Sequence, residues 1–170
     1  MPHPWSAGEI LPPPRVRPWR RILQGAERLA ALLGRAPAEE ASHALGRLGE
    51  EIAYWSLREC GYTIMARNLR LRAPVGEIDI VAVEGTPAVL VFVEVKSRSH
   101  ESQFAAEDAV DAAKRRQLIR LARAWRRRRH YAGAYRFDMV VVYGPAMPRP
   151  RIILHRNAFG EADGLNPPHA

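Results

Sequence analysis

Gly76-Glu77-Ile78-Asp79-Ile80-Val81 and Val89-Leu90-Val91-Phe92-Val93-Glu94-Val95-Lys96 are the stretches on which the fold turns. The second is apolar on both faces as far as Glu94, the pattern of a central strand covered on both sides. Residues two apart in a strand share a face, so Glu94 projects with Lys96, and Glu77 with Asp79. Gly85-Thr86-Pro87 between the stretches is a turn signal that makes them a hairpin. With a loop over residues 85–88, Glu84 pairs with Val89 and the same register sets Asp79 opposite Glu94. Directly opposed residues have Cβ atoms ~5 Å apart. Two carboxylates at that spacing repel, and one pKa should rise, unless a shared cation lies between them. A hard divalent ion with oxygen ligands and retained waters, Mg²⁺ or Mn²⁺, suits such a pair. Burying Glu94 and Lys96 is costly unless they pair or bind something, so the alternative is a structural ion pair at the sheet end.

Outward from the hairpin the elements alternate. Ser42 can cap a helix over residues 42–59 that Gly61 stops, and strands are expected over 62–72, 75–84 and 88–97. Asp111 can cap a second helix reaching about His130, followed by strands over 135–143 and 151–156. The order αβββαββ gives an α/β fold with helices against a sheet. Residues 1–40 read as a proline-rich extension outside the domain, with an amphipathic stretch from Arg20 to Leu33. The domain proper is expected over 41–158, and 159–170 as a frayed tail containing Gly160, Gly164, Pro167 and Pro168.

A chain of 170 residues, 47% hydrophobic and 26% charged, is long enough for one such domain with a real core. Its apolar runs are too short to span a bilayer. Residues 1–7 have no basic leader, and the single cysteine, Cys60, excludes an internal disulfide or a cysteine-based zinc site. A reducing, cytoplasmic setting is expected. The six histidines are scattered without ligand spacing.

The net charge of +8 is concentrated in one place. Lys114, Arg115, Arg116, Arg120, Arg123, Arg126, Arg127, Arg128 and Arg129 fall within the second helix and its end, without one acid among them. Stabilising helix pairs need both signs, so a solvated face explains this segment poorly, and a polyanion explains it well. Leu118, Leu121, Ala122 and Trp125 form the inward stripe of that helix. Lys114, Arg115, Arg116, Arg120, Arg123 and Arg127 are therefore the candidates for phosphate contact. Of 26 basic residues only Lys96 and Lys114 are lysine.

The first helix offers a third carboxylate. Glu50 shares a stripe with Gly46, Ala53 and Leu57 and should face the sheet. Glu51 shares one with Arg47, Tyr54 and Arg58 and should lie at the surface in a helix salt bridge.

Gly49-Glu50, Gly61-Tyr62, Arg67-Asn68, Gly76-Glu77-Ile78-Asp79 and Phe92-Val93-Glu94-Val95-Lys96-Ser97-Arg98, with Lys114 and Arg136-Phe137-Asp138, resemble the YraN family of bacterial uncharacterised proteins. The resemblance covers about residues 45–156. That family is similar to the PD-(D/E)XK nucleases, which include restriction endonucleases and archaeal Holliday-junction resolvases. The resemblance implies a restriction-endonuclease-like αβββαβ core with a mixed central sheet flanked by helices. Asp79 matches the motif's aspartate, Glu94-Val95-Lys96 its ExK, and Glu50 the helix glutamate of resolvase-like members. The implied set is catalytic Asp79, Glu94, Lys96 and Glu50, with Asp79, Glu94 and Glu50 as metal ligands. The implied activity is phosphodiester hydrolysis in DNA, with branched or repair intermediates suggested by analogy. The rival is a nucleic-acid-binding module that keeps the fold without turnover. A homodimer is compatible with the sequence.

Overall fold

The computed structural model describes residues 8–15, 38–98 and 112–161, so the stretch from Arg20 to Leu33 lies outside the described residues. Its strands are β1 Glu9–Leu11, β2 Thr63–Arg72, β3 Val75–Glu84, β4 Val89–Arg98, β5 Tyr135–Tyr143 and β6 Arg151–Phe159. Its helices are α1 Ala38–Glu59 and α2 Ala112–Arg128. One mixed sheet runs β1-β6-β5-β4-β3-β2. Only the β4–β5 pair is parallel, and α2 lies in the connection between those two strands, as a crossover requires.

Each helix covers one face. Leu48, Ile52, Ala53 and Leu57 of α1 pack on Ile80, Val91, Val93 and Val140. Leu118, Leu121, Ala122 and Trp125 of α2 pack on Ile78, Leu90, Phe92 and Phe137. β4 sits between β3 and β5 with Leu90 and Phe92 towards α2 and Val91 and Val93 towards α1, the two-sided burial its apolar run demands. The hairpin register is the expected one, Glu84↔Val89 through Ile80↔Val93. Gly61, at φ 89°, ends α1 in a left-handed turn: Tyr62 N–H donates to Leu57 O and Gly61 N–H to Arg58 O. No helix among the described residues is long and apolar enough to cross a membrane.

The ends of the domain differ from the expected boundaries. Residues 9–11, placed in an outlying extension by their proline-rich surroundings, form an edge strand on β6, with Glu9↔Leu154 and Leu11↔Ile152. Leu11 is 2% exposed and joins the α1-side core, while Ile10 points out at 63%. Pro12, Pro13 and Pro14 supply no N–H donors, which explains a strand this short. Phe159, expected in the tail, ends β6 and stacks on Phe137 with ring centroids 4.8 Å apart. Glu161 just beyond it pairs with Arg123 at 2.6 Å. Helix α1 starts at Ala38, so Ser42 lies inside the helix and does not cap it.

Leu11→Ala should therefore lower the unfolding free energy by about 2–4 kcal/mol, the range for emptying a core leucine site. Urea unfolding reads this directly, and a chain beginning at Ala41 should lose at least as much. An unchanged midpoint for both would leave β1 outside the cooperative unit.

Candidate functional site

Regular strand geometry breaks where the candidate residues meet. Arg67↔Ile80 and Leu69↔Ile78 pair across β2 and β3, which leaves Asn68 and Asp79 facing each other between them. Asn68 adopts φ 48°, a left-handed conformation that asparagine tolerates better than most residues. Ile78 packs in the α2-side core and Ile80 in the α1-side core. Residues two apart would share a face in a regular strand, so β3 loses its alternation at Asp79. The β3–β4 ladder ends at Ile80↔Val93. Beyond it the Asp79 side chain replaces the backbone acceptor: Oδ2 accepts from Val95 N–H at 2.7 Å.

Glu94 continues the Leu90–Phe92 face towards α2 and is only 2% exposed. Lys96 Nζ lies 2.8 Å from its Oε1, and Lys114 Nζ, from the first turn of α2, 3.2 Å from its Oε2. The only two lysines in the chain thus converge on one carboxylate. Lys114 is at ion-pair distance without hydrogen-bond alignment, and Glu94 Oε2 makes no hydrogen bond.

Burial, and then the charge of Glu94, push the Asp79 carboxyl up to about 7 from its ordinary 3.8, against the pull of the Val95 N–H and Lys114. Glu50 adds to the repulsion. Glu50 is itself half-buried and raised, first by burial; the Asn68 side chain, donating to it, opposes the shift, and the charge of Glu77 reinforces it. Asp79 and Glu94 are the carboxylates of this cluster whose charges act most strongly on each other. Glu50 acts on Asp79 through its charge, and among the described residues no three carboxylate, imidazole or thiol groups converge as a metal ligand set.

Several sequence-derived positions are revised. Glu51, expected at the surface in a helix salt bridge, pairs with Arg67 of β2 and accepts from Trp55 Nε1 at 2.8 Å. Lys114, expected to reach outward to phosphate, turns inward to Glu94. Arg123 is tied to Glu161. Arg115 and Arg116 are half-buried, and Arg120 and Arg127 are exposed. Arg126 lies 3.7 Å over the Tyr135 ring, and Arg128 donates to Ala73 O at 2.7 Å, so part of the basic run serves packing. Sequence reasoning missed Asn68 as a partner of Glu50. An asparagine in the middle of an otherwise strand-like run, a residue type depleted in strands, was the available signal.

Taken together, the sheet order, its two covering helices and the acid–lysine cluster define an α/β protein with a buried polar centre where β3 and β4 part. The chain belongs to the uncharacterised protein family UPF0102, whose model matches residues 49–142. It is similar to a UPF0102 protein of Koribacter versatilis, 41% identical over 140 residues, which are 82% of this chain and 96% of the relative. A UPF0102 protein of Symbiobacterium thermophilum is 43% identical over 119 residues, 69% and 98% of the two chains. One from Solibacter usitatus is 46% identical over 105 residues, 61% and 78%.

The raised Asp79 carboxyl has a definite consequence for stability. Its folded value of about 7 lies above the ordinary 3.8, so the folded state holds the proton more tightly. This contribution is complete below about pH 4 and is lost as pH rises towards 7. Asp79 keeps some solvent contact, which holds the effect below the full shift. Metal-free protein should lose on the order of 2 kcal/mol between pH 5 and 8, and Asp79→Asn should remove that slope. Urea titrations across the range test it; parallel slopes for parent and variant would contradict it.

Proposed function

We propose that this protein is a metal-dependent nuclease that hydrolyses phosphodiester bonds in DNA. The observation that carries the reading is an incompletely satisfied pair of buried acids, Asp79 and Glu94, closed by the chain's only two lysines. The pair fits a divalent cation. Asp79 is raised in part by its neighbour's charge, which a cation between them would relieve, and Glu94 Oε2 still lacks a hydrogen bond. Mg²⁺ characteristically uses one or two carboxylates and keeps its remaining waters, so a third protein ligand is not required. Held by Asp79 and Glu94, Mg²⁺ or Mn²⁺ would supply a Lewis acid beside the phosphate and a source of hydroxide at neutral pH.

The chain's own groups supply the rest. Lys96 presents a compact ammonium that can orient the attacking water or neutralise charge developing on the phosphate. Lys114 brings a second positive charge from the first turn of α2. Glu50, acting on Asp79 through charge, is suited to holding an outer water. Arg116, Arg120 and Arg127 extend the positive face of α2 along the path of a phosphate backbone. A shallow cleft of about 630 Å³ at the far end of α2, lined by Arg123, Arg126, Arg127, His130 and Tyr131, combines cations with an aromatic ring as nucleic-acid grooves do. Branched or repair intermediates remain the suggested substrates.

One observation favours the rival reading, a binding module without turnover. Two carboxylates, Asp79 and Glu94, face two ammoniums, Lys96 and Lys114, so the cluster is balanced without a metal. Incubation with linear, flapped and four-way DNA, with and without Mg²⁺ or Mn²⁺, separates the two. Cleavage that requires the metal and falls at least ~10²-fold in Glu94→Gln and in Lys96→Arg is expected for the enzyme. Metal-independent binding with no product on any substrate would leave the binding module.

Phosphate contact by α2 has its own signature. Replacing Arg116, Arg120 and Arg127 with Gln should flatten the log–log salt dependence of duplex binding by roughly 2–3 units, at about 0.9 per lost phosphate contact. The variant should still fold, because Leu118, Leu121 and Trp125 keep the inner face. Identical slopes for parent and triple variant would make the helix a solvated surface only.

A further inference from the structure

Beside the acid–lysine cluster a pocket of about 230 Å³ opens between the N-terminal half of α1 and the ends of β4 and β5. Ser42, Leu45, Gly46, Lys96, Ser97, Arg98 and Pro145 line it. Its polar side chains are two cations and two hydroxyls beside the apolar Leu45 and Pro145, and no acid is among the residues lining it. Lys96 belongs to both places: it lines the pocket and stands 2.8 Å from Glu94.

Two glycines of α1 shape this space in opposite ways. A Cβ on Gly49 would lie 1.9 Å from Ser97 Oγ, so helix and strand meet there too closely for any side chain. One turn earlier, a Cβ on Gly46 would meet nothing within 4 Å. Glycine inside a helix is unfavourable relative to alanine, and no close packing at this position calls for it. The space over Gly46 is the mouth of the pocket. Ser97 Oγ is buried with no hydrogen-bond partner, and Ser42, inside the helix, has its hydroxyl free of a capping role. A buried hydroxyl left unpaired is costly, and rotation of the Ser97 side chain would offer it to an oxygen-rich guest in the pocket.

We infer that this pocket is an anion seat for the phosphate next to the one at the acid–lysine cluster, held by Arg98 and the serine hydroxyls, with Gly46 leaving the room that admits it. That the phosphate belongs to a nucleic-acid strand rests on the nuclease reading. That the pocket takes a phosphate rests on its own lining.

The test uses the full chain in EDTA, where binding is read without turnover. Gly46→Leu fills the mouth and should leave the melting temperature at or above that of the parent, because helix propensity improves. The same variant should weaken binding of a 12-base-pair DNA duplex at least 5-fold by fluorescence anisotropy. Arg98→Gln should weaken it similarly and flatten the salt slope by about 0.9, and Arg98→Lys should restore the slope. In a second arm, inorganic phosphate is titrated while amide shifts of Gly46, Ser97 and Arg98 are followed by NMR. Shifts there that vanish in Gly46→Leu support the seat even if the parent binds no duplex, an outcome that removes the nucleic-acid reading alone. Parental duplex affinity in Gly46→Leu, together with no phosphate-induced shifts at these amides, overturns the inference whatever the metal-dependent assays give.

Discussion

The carboxylate of Glu94 is the constraint around which the rest is arranged. It sits in the central strand, 2% exposed, on a face otherwise made of Leu90 and Phe92. An ionised group there is tolerable only with cations delivered to it. Lys96 comes from the same strand, and Lys114 from a helix that follows β4 in sequence and returns the chain to β5. Packing of Leu118, Leu121 and Trp125 on the sheet fixes α2, and so sets where Lys114 can reach. Core and site are thus one construction: loosening the helix would strip a counter-charge from a buried acid.

A second buried carboxylate in the same sheet makes the contrast plain. Asp138 is 0% exposed and accepts from Tyr62 Oη at 3.1 Å, Arg136 Nε at 2.8 Å, Arg136 Nη2 at 3.0 Å and Asn157 N at 2.9 Å. Arg136 also reaches Glu84, which Arg156 joins to β6. Every lone pair of Asp138 in this network is directed at a donor, and its work is to tie strands together. Glu94 instead faces two ammoniums, with Oε2 3.2 Å from Lys114 Nζ and outside any hydrogen bond. The same residue chemistry is structural when fully hydrogen-bonded and available for chemistry when it is not.

The irregular backbone serves the same end. Asp79 can accept from Val95 N–H because the ladder stops one residue earlier, and Asn68 turns left-handed opposite it. A regular hairpin would have paired Asp79 and Glu94 side by side with all backbone groups engaged. Here a side chain does a backbone's work, so Asp79 stays fixed beside Glu94 while retaining the strain of like charge.

By itself the sequence determined the parts governed by local pattern. Apolar runs and turn residues gave β3 and β5 their bounds, the hairpin its register, and α2 its inward stripe, because strand and helix periodicities repeat within a few residues. It also singled out Asp79, Glu94 and Lys96, since acids and a lysine in a two-sided apolar hairpin stand out against their surroundings. Tertiary structure decided what depends on contacts distant in the chain. Leu11 finds its core site on a strand more than 140 residues away, so proline-rich composition hid its role. Lys114 and Arg123 read as members of one basic run, yet one turns to a buried acid and the other to Glu161, because charge at a helix face is assigned only by what packs beside it. The opening over Gly46 exists only once α1 lies on the ends of β4 and β5, a void that no single segment encodes.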